Sequence, residues 1–209
     1  LCSPGVLHAS QRLSDSFQGA HIPCSVFRVS GKPVLRSDPT KYGFTELKVL
    51  LELDPSTAFT WNYREACDPI NPLRRKRIPT LDDLATLKLW ASVQASVRAI
   101  VGASVGAIVR ASVGASVVVA SVGASVGDSV GDSEWASVVV SVRDSGWAYI
   151  GSLFIPCVPR WRKAYLFQSA VDLWRRGLVP SYDGHLWRLH SGKKAAIVWE
   201  GPPRKGGLP

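Results

Sequence analysis

Between Ala91 and Gly151 small apolar and polar positions alternate in units of four, A-S-V-x. Seven units run from Ala91 to Val118 in one register, Val119 is a single inserted residue, and eight more units run from Ala120 to Gly151. The third position is Val in nearly every unit and is broken at Glu134 and Gly146; the second is Ser, replaced at Ile100, Ile108 and Tyr149. On an α-helix each step of four overshoots a full turn by about 40°. Over the whole tract the Val row would therefore circle the cylinder and leave no lasting apolar stripe. Val, Ser and Gly are also weak helix formers. Alternation of small apolar and polar residues is instead the period-two pattern of a half-buried strand. Strands are typically about 5–6 residues long, so the tract has to turn repeatedly. The predicted fold class is α+β with a central tetrapeptide-repeat segment, β-solenoid-like or built of short strands, with irregular helix as the alternative. Asp128, Asp132 and Asp144 share a position with Ala, which places that position at an exposed corner.

The A-S-V-x units resemble the A-x-L-x-x units of pentapeptide-repeat proteins, a resemblance that implies a square β-helix. Each unit here is one residue shorter, and Val stands where Leu or Phe is usual. Nearly all substitutions inside the repeat are one base apart in the genetic code, the drift of a duplicated DNA segment. The tract is accordingly read as a spacer in which no residue is chosen for chemistry.

Three segments follow: a mixed N-terminal segment (1–90), the repeat (91–151) and a small C-terminal α+β module (152–209). Residues 1–23 read as loop, and Ser25–Val29 with Val34–Arg36 as a hairpin around Gly31. Thr45 is placed to cap a helix over Glu46–Leu53 that Asp54-Pro55 stops, and Thr57–Tyr63 alternates like a strand. Thr80 and Asp83 have the spacing of a capping box that opens a helix through Leu84, Leu87 and Trp90. In the last segment Tyr165–Arg176 carries a helical apolar stripe, with Gly177 as its terminating residue. Leu178–Ser181, Leu186–His190 and Ala195–Trp199 read as a three-stranded meander, with turns at Asp183-Gly184 and Ser191-Gly192. Trp174 and Trp199 are assigned to the core, and Gly201–Pro209 to a disordered tail. The repeat, together with Asp172-Leu173-Trp174-Arg175-Arg176-Gly177 and Trp187-Arg188-Leu189-His190, is similar to tracts of ASVW/DSVR type in uncharacterised bacterial proteins. That resemblance implies no activity, substrate or catalytic residue.

Charge narrows the search for partners. Of the net +9, residues 152–209 contribute +7 (10 basic against 3 acidic side chains), so an anionic partner is expected there. Arg160, Trp161, Arg162, Lys163, Trp187, Arg188, Lys193 and Lys194 interleave cations with aromatics, the combination that grips phosphates and stacks on bases. They are the candidate site for nucleic acid or another polyanion. The densest basic run, Arg74-Arg75-Lys76-Arg77, could grip phosphates too, but reads first as a solvated loop between Pro72 and Pro79.

Other chemistry is thin. The four cysteines are scattered without a C-x-x-C pair, which favours reduced thiols and a cytoplasmic setting over a secreted one. Cys2, His8, His21 and Cys24 fit no common zinc spacing, so no metal or cofactor is assigned. The hydrolase signature G-x-S-x-G occurs at Gly102–Gly106, Gly123–Gly127 and Gly127–Gly131, with Asp172 and His190 following in triad order. A repeat of A-S-V-G units must generate it, so it carries little weight. No phosphate loop, H-E-x-x-H or paired-carboxylate pattern appears, no small-molecule substrate is evident, and a non-enzymatic spacer or scaffold is expected. The alternative is a membrane-associated protein that inserts its Gly/Ala/Ser/Val repeat. Against it, Arg110 interrupts the run and a Ser recurs every four residues.

Overall fold

The repeat is helical. A computed structural model describes residues 6–12, 21–36, 41–130 and 134–202. Across them the tract continues α3 (Leu81–Val93) and forms α4 (Val97–Ala111), α5 (Val113–Gly127) and α6 (Trp135–Ser152). The predicted β-solenoid is thereby overturned: the sheets among the described residues are small, antiparallel and separate, and no strand of theirs comes from the repeat. No helix among the described residues is long and apolar enough to cross a membrane.

The drift of the Val row does not prevent packing because the helix is interrupted. A 3₁₀ turn at Gln94–Ser96, non-helical backbone at Val105 (φ −141°, ψ 18°) and a non-helical Ser112 (φ −80°, ψ 74°) divide the tract. From Val97 to Val109 three steps of four add about 120°, no wider than an ordinary buried stripe. Val97, Val101, Val105 and Val109 are all buried. In α5 the row changes sides. Val113 and Val117 are exposed, whereas Ala115, Val119, Val122 and Val126 are buried. The inserted Val119 lengthens one step of the Val row to five (Val117 to Val122), and the buried positions Ala115, Val119, Val122 and Val126, spaced 4, 3 and 4, stay on one face of the helix.

The second irregularity answers the first. Gly146 breaks the Val row of α6, and a Cβ at that position would lie 2.6 Å from both methyls of Val119. The insertion in α5 thus packs into the gap left by the missing side chain in α6. Asp144 corrects another expectation: it is not at an exposed corner but buried, held by the Arg98 guanidinium and by Gln94 Nε2 at 3.0 Å.

The C-terminal segment forms α7 (Gln168–Arg175) and a meander of β6 (Val179–Tyr182), β7 (Trp187–Ser191) and β8 (Ala196–Gly201). The register sets Tyr182 opposite Trp187 and Leu189 opposite Trp199. Trp174 is fully buried, whereas Trp199 is only partly so. α6 is the common neighbour against which α4, α5, α7 and β6 pack, and α3 lies on α7. One contiguous core runs from Ile22 to Ala195 through all three sequence segments.

The N-terminal segment departs most from its sequence reading. The described part of the predicted loop contains β1 (Leu7–Ser10). The predicted hairpin is replaced by longer-range pairings. β2 (Val26–Ser30) pairs with β5 (Lys48–Leu53), and β3 (Leu35–Arg36) joins β1 on β4 (Lys41–Phe44). Residues 48–53 are therefore strand, not helix; Asp54 instead caps α1 (Pro55–Ala58), accepting from Ser56 N at 2.8 Å. The predicted strand at Thr57–Tyr63 instead spans the end of α1, a bend over residues 59–61 and the start of α2 (Tyr63–Cys67). Of the predicted tail, Gly201 ends β8 and residues 203–209 lie outside the described residues, as does Cys2 of the zinc set.

The packing of Val119 against Gly146 predicts that Gly146→Val destabilises the protein by about 1–3 kcal/mol through overpacking. Val119→Ala combined with Gly146→Ala should recover much of that loss relative to Gly146→Ala alone. Urea unfolding of the four variants measures it; simple additivity of the two alanine changes would refute the contact.

Candidate anion-binding cleft

Two basic runs nearly a hundred residues apart in sequence come together. Arg74-Arg75-Lys76-Arg77 and Arg175-Arg176 line one cleft of about 550 Å³, walled by Asp68–Pro72 and closed at its base by Trp174 and Gly177. The run 74–77 is positioned by local chemistry first. Asn71 Oδ1 accepts from Leu73 N at 2.9 Å and starts a 3₁₀ turn over Pro72–Arg74, after which the chain is extended. Its backbone is then fixed from the other side of the molecule. Gly192 N donates to Arg75 O at 3.2 Å, and Ser191 Oγ accepts from Arg77 N at 2.9 Å while donating to Gly177 O at 2.8 Å. The segment is thus a docked strap and not the free loop that its composition suggests.

Two glycines permit this docking. Gly177 (φ 80°) ends α7 in the left-handed region, where a Cβ would lie 3.3 Å from Pro72 O. Gly192 (φ 74°) turns β7 into β8, and a Cβ there would meet Lys76 Cβ at 3.3 Å. Both require φ values that side chains disfavour, and both abut the basic strap.

The charges are anchored by one carboxylate. Asp83 is fully buried and completes the predicted capping box of α3, accepting from Thr80 N at 2.9 Å. It also takes Arg77 Nη2 at 3.0 Å and Arg176 Nη1 at 2.9 Å. Burial alone would raise its pKa, but the hydrogen bonds from Thr80, Arg176 and Arg77 outweigh burial and hold it at about 2. Arg175 pairs with Glu65 at 3.2 Å, and Glu65 accepts from the Tyr149 hydroxyl at 2.9 Å. Tyr149 stacks on Trp174 with ring centroids 5.3 Å apart, which fixes the base of the cleft. Arg74, Arg75 and Lys76 are exposed and make no ion pair with a carboxylate among the described residues. Asp68, also exposed, is the acidic group on the opposite wall.

The sequence-predicted site residues divide. Lys193 and Lys194 are exposed on the turn next to Gly192 and extend the positive surface of the strap. Arg160 Nη2 instead donates to Ser104 Oγ of α4 at 2.7 Å, and Arg162 Nη2 to Pro156 O at 2.6 Å, with Lys163 exposed beside them. Trp161 is buried edge-on against Tyr165, Trp187 is buried on Tyr182, and neither presents a face for stacking. Arg188 is sequestered by Asp183 at 2.6 Å, Glu134 at 3.0 Å and Glu200 at 2.5 Å. It joins the start of α6, within the repeat, to the meander and is unavailable to an external anion.

One G-x-S-x-G serine does meet the histidine. Ser129 Oγ lies 3.2 Å from His190 Nδ1, but that nitrogen also faces Ala195 O at 3.0 Å, and Nε2 faces Ser181 Oγ at 2.8 Å. A carbonyl only accepts, so Nδ1 carries the proton and Nε2 receives the Ser181 hydroxyl. The nitrogen nearest Ser129 therefore has no lone pair to take its proton, and Asp172 is engaged by Gln168 at 2.8 Å. Among the described residues no group of His, Cys, Asp and Glu side chains is arranged to hold a metal ion. Comparison with protein-family models, with curated proteins and with solved structures finds no match.

Burial of His190, aided by the nearby Arg188 charge and opposed by the Ala195 carbonyl, lowers its pKa from the usual 6.5 to about 4. The unfolded chain then binds a proton below about pH 6.5 that the folded chain refuses until about pH 4. Stability falls as pH drops through that window and is unaffected by this group above it. Between pH 7 and pH 5 the loss should be roughly 2 kcal/mol. His190→Gln, which does not titrate, should remove that part of the slope in urea unfolding; an unchanged slope would contradict a neutral His190.

Proposed function

We propose that the protein is a non-enzymatic scaffold that binds a polyanion, nucleic acid in the first instance, through this cleft and the adjoining Lys193–Lys194 turn. The observation that carries the reading is the convergence of Arg74, Arg75 and Lys76, free of carboxylate partners among the described residues, with Arg175, Arg176, Lys193 and Lys194. The interrupted helical repeat acts as the frame: α6 supports α7 and β6, and the strap is held by the end of α7 and by β7, which pairs with β6. Because Trp161 and Trp187 are buried, the contacts are to phosphates and not to base faces. Binding of this kind is insensitive to sequence and steeply dependent on salt.

Anisotropy titrations of labelled mixed-sequence oligonucleotides at several salt concentrations test this. Wild-type protein should show a linear fall of log K with log salt. Arg74→Ala, Arg75→Ala and Lys76→Ala together should weaken binding uniformly across sequences and reduce the slope by about 3. Absence of binding at low salt, or binding that the triple variant leaves unchanged, would overturn the reading.

A further inference from the structure

Two thiols meet at one tyrosine hydroxyl. Tyr63 opens α2, and its hydroxyl accepts from Cys24 N at 2.8 Å and donates to Cys24 O at 2.9 Å, with Cys24 Sγ 4.0 Å away. Cys67 stands one helical turn beyond Tyr63, on the same face of α2. Its thiol interacts both with that hydroxyl and with the Cys24 thiol. Both cysteines are free and half-buried.

A disulfide needs two backbones held close together, and both of these dock on the same place, the start of α5. Ile22, two residues before Cys24, is fully buried and bridges to Ser112. From α2, Cys67 O comes so near α5 that a Cβ at Gly114 would lie 3.3 Å from it. Burial pushes the Tyr63 hydroxyl up to about 12, so at neutral pH it stays protonated and does not compete as a nucleophile. Burial also raises the Cys24 thiol, opposed by its hydrogen bond with Tyr63, which leaves the first attack to Cys67.

We propose that Cys24 and Cys67 are a dithiol that an oxidised low-molecular-weight thiol converts into a disulfide, fastening the chain before β2 to the end of α2. The Cys67 thiolate attacks one sulfur of the small disulfide, forming a mixed disulfide and releasing one thiolate. The Cys24 thiolate then attacks Cys67 Sγ, breaks the mixed disulfide and releases the second. The protein loses two electrons and two protons, and the small disulfide becomes two thiols.

Glutathione buffers of graded redox poise, applied to the full chain without nucleic acid, test this independently of the anion-binding reading. As glutathione disulfide rises, two thiols should disappear together, and peptide mapping without reductant should find Cys24 joined to Cys67 within one chain. The midpoint of thermal unfolding should rise by on the order of 10 °C, because a loop of about 40 residues is closed in the unfolded chain. Cys67→Ser should abolish both effects, and in urea the preference for this pair over Cys2 or Cys157 should vanish. Lasting glutathione adducts on both cysteines, thiols that resist oxidation, pairing with Cys2 or Cys157 in the folded chain, or a disulfide that lowers the midpoint would each overturn the proposal.

Discussion

A period of four on a helix of 3.6 residues per turn is the constraint from which the architecture follows. Each unit moves the Val row about 40° around the axis, so a perfect repeat of this length could not keep one face against a core. The chain meets the constraint by interruption and by register change. The bends at Gln94–Ser96, Val105 and Ser112 confine each stretch to an arc that a neighbour can cover. Val119 shifts the buried row of α5 from the Ala position to the Val position, and Gly146 makes room for it on α6. Residues that depart from the repeat thus make the contacts that the regular ones cannot. Gly146 packs on α5, Asp144 pairs with Arg98, Tyr149 stacks on Trp174, and Glu134 reaches Arg188.

The cleft depends on the same core at one remove. Asp83 is a buried carboxylate, a group that is destabilising unless its charge is fully hydrogen-bonded. Here it caps α3 and binds an arginine from the strap and another from the end of α7. Arg77 and Arg176 are consequently structural cations. Their charge is balanced, and what remains for an external anion is the surplus on Arg74, Arg75 and Lys76. Ser191 does for the backbone what Asp83 does for the side chains, joining the strap, the end of α7 and β7 through one hydroxyl. A cationic surface is held together here by anions beneath it, which is why composition alone misjudged it.

What could be read from the sequence was what is local. The capping box at Thr80 and Asp83, the Gly177 terminus of α7 and the turns of the meander all depend on residues within a few positions of one another, and they lie where their chemistry places them. Elements decided by distant partners were misread. Residues 48–53 show a short apolar run that fits helix or strand equally, and only pairing with Val26–Ser30 makes them a strand. The repeat failed for a related reason: its alternation satisfies a strand locally, whereas the tertiary packing of interrupted helices is set by α6, α7 and β6. The strap was legible as a basic run but not as a docked one, because Arg75 meets Gly192 across more than a hundred residues of chain. The misassigned site residues share one cause. Trp161, Trp187 and Arg188 were counted by type, and type does not reveal burial.

The ribbon of β2 and β5 and the cleft are joined by a short stretch of chain. β5 ends at Leu53, and α1 and α2 carry the chain to Asp68 on the cleft wall. α2 is itself tied to the rest of the molecule: Asn62 N donates to Leu153 O, and Glu65 binds Arg175. The Asp68 side of the cleft is thereby anchored to the end of α6 through Leu153 and to α7 through Arg175, while the basic strap is held to the end of α7 through Ser191 and Gly177. Both sides of the cleft therefore rest on the same helices, so its shape follows from the packing of α6 on α7 rather than from either basic run alone.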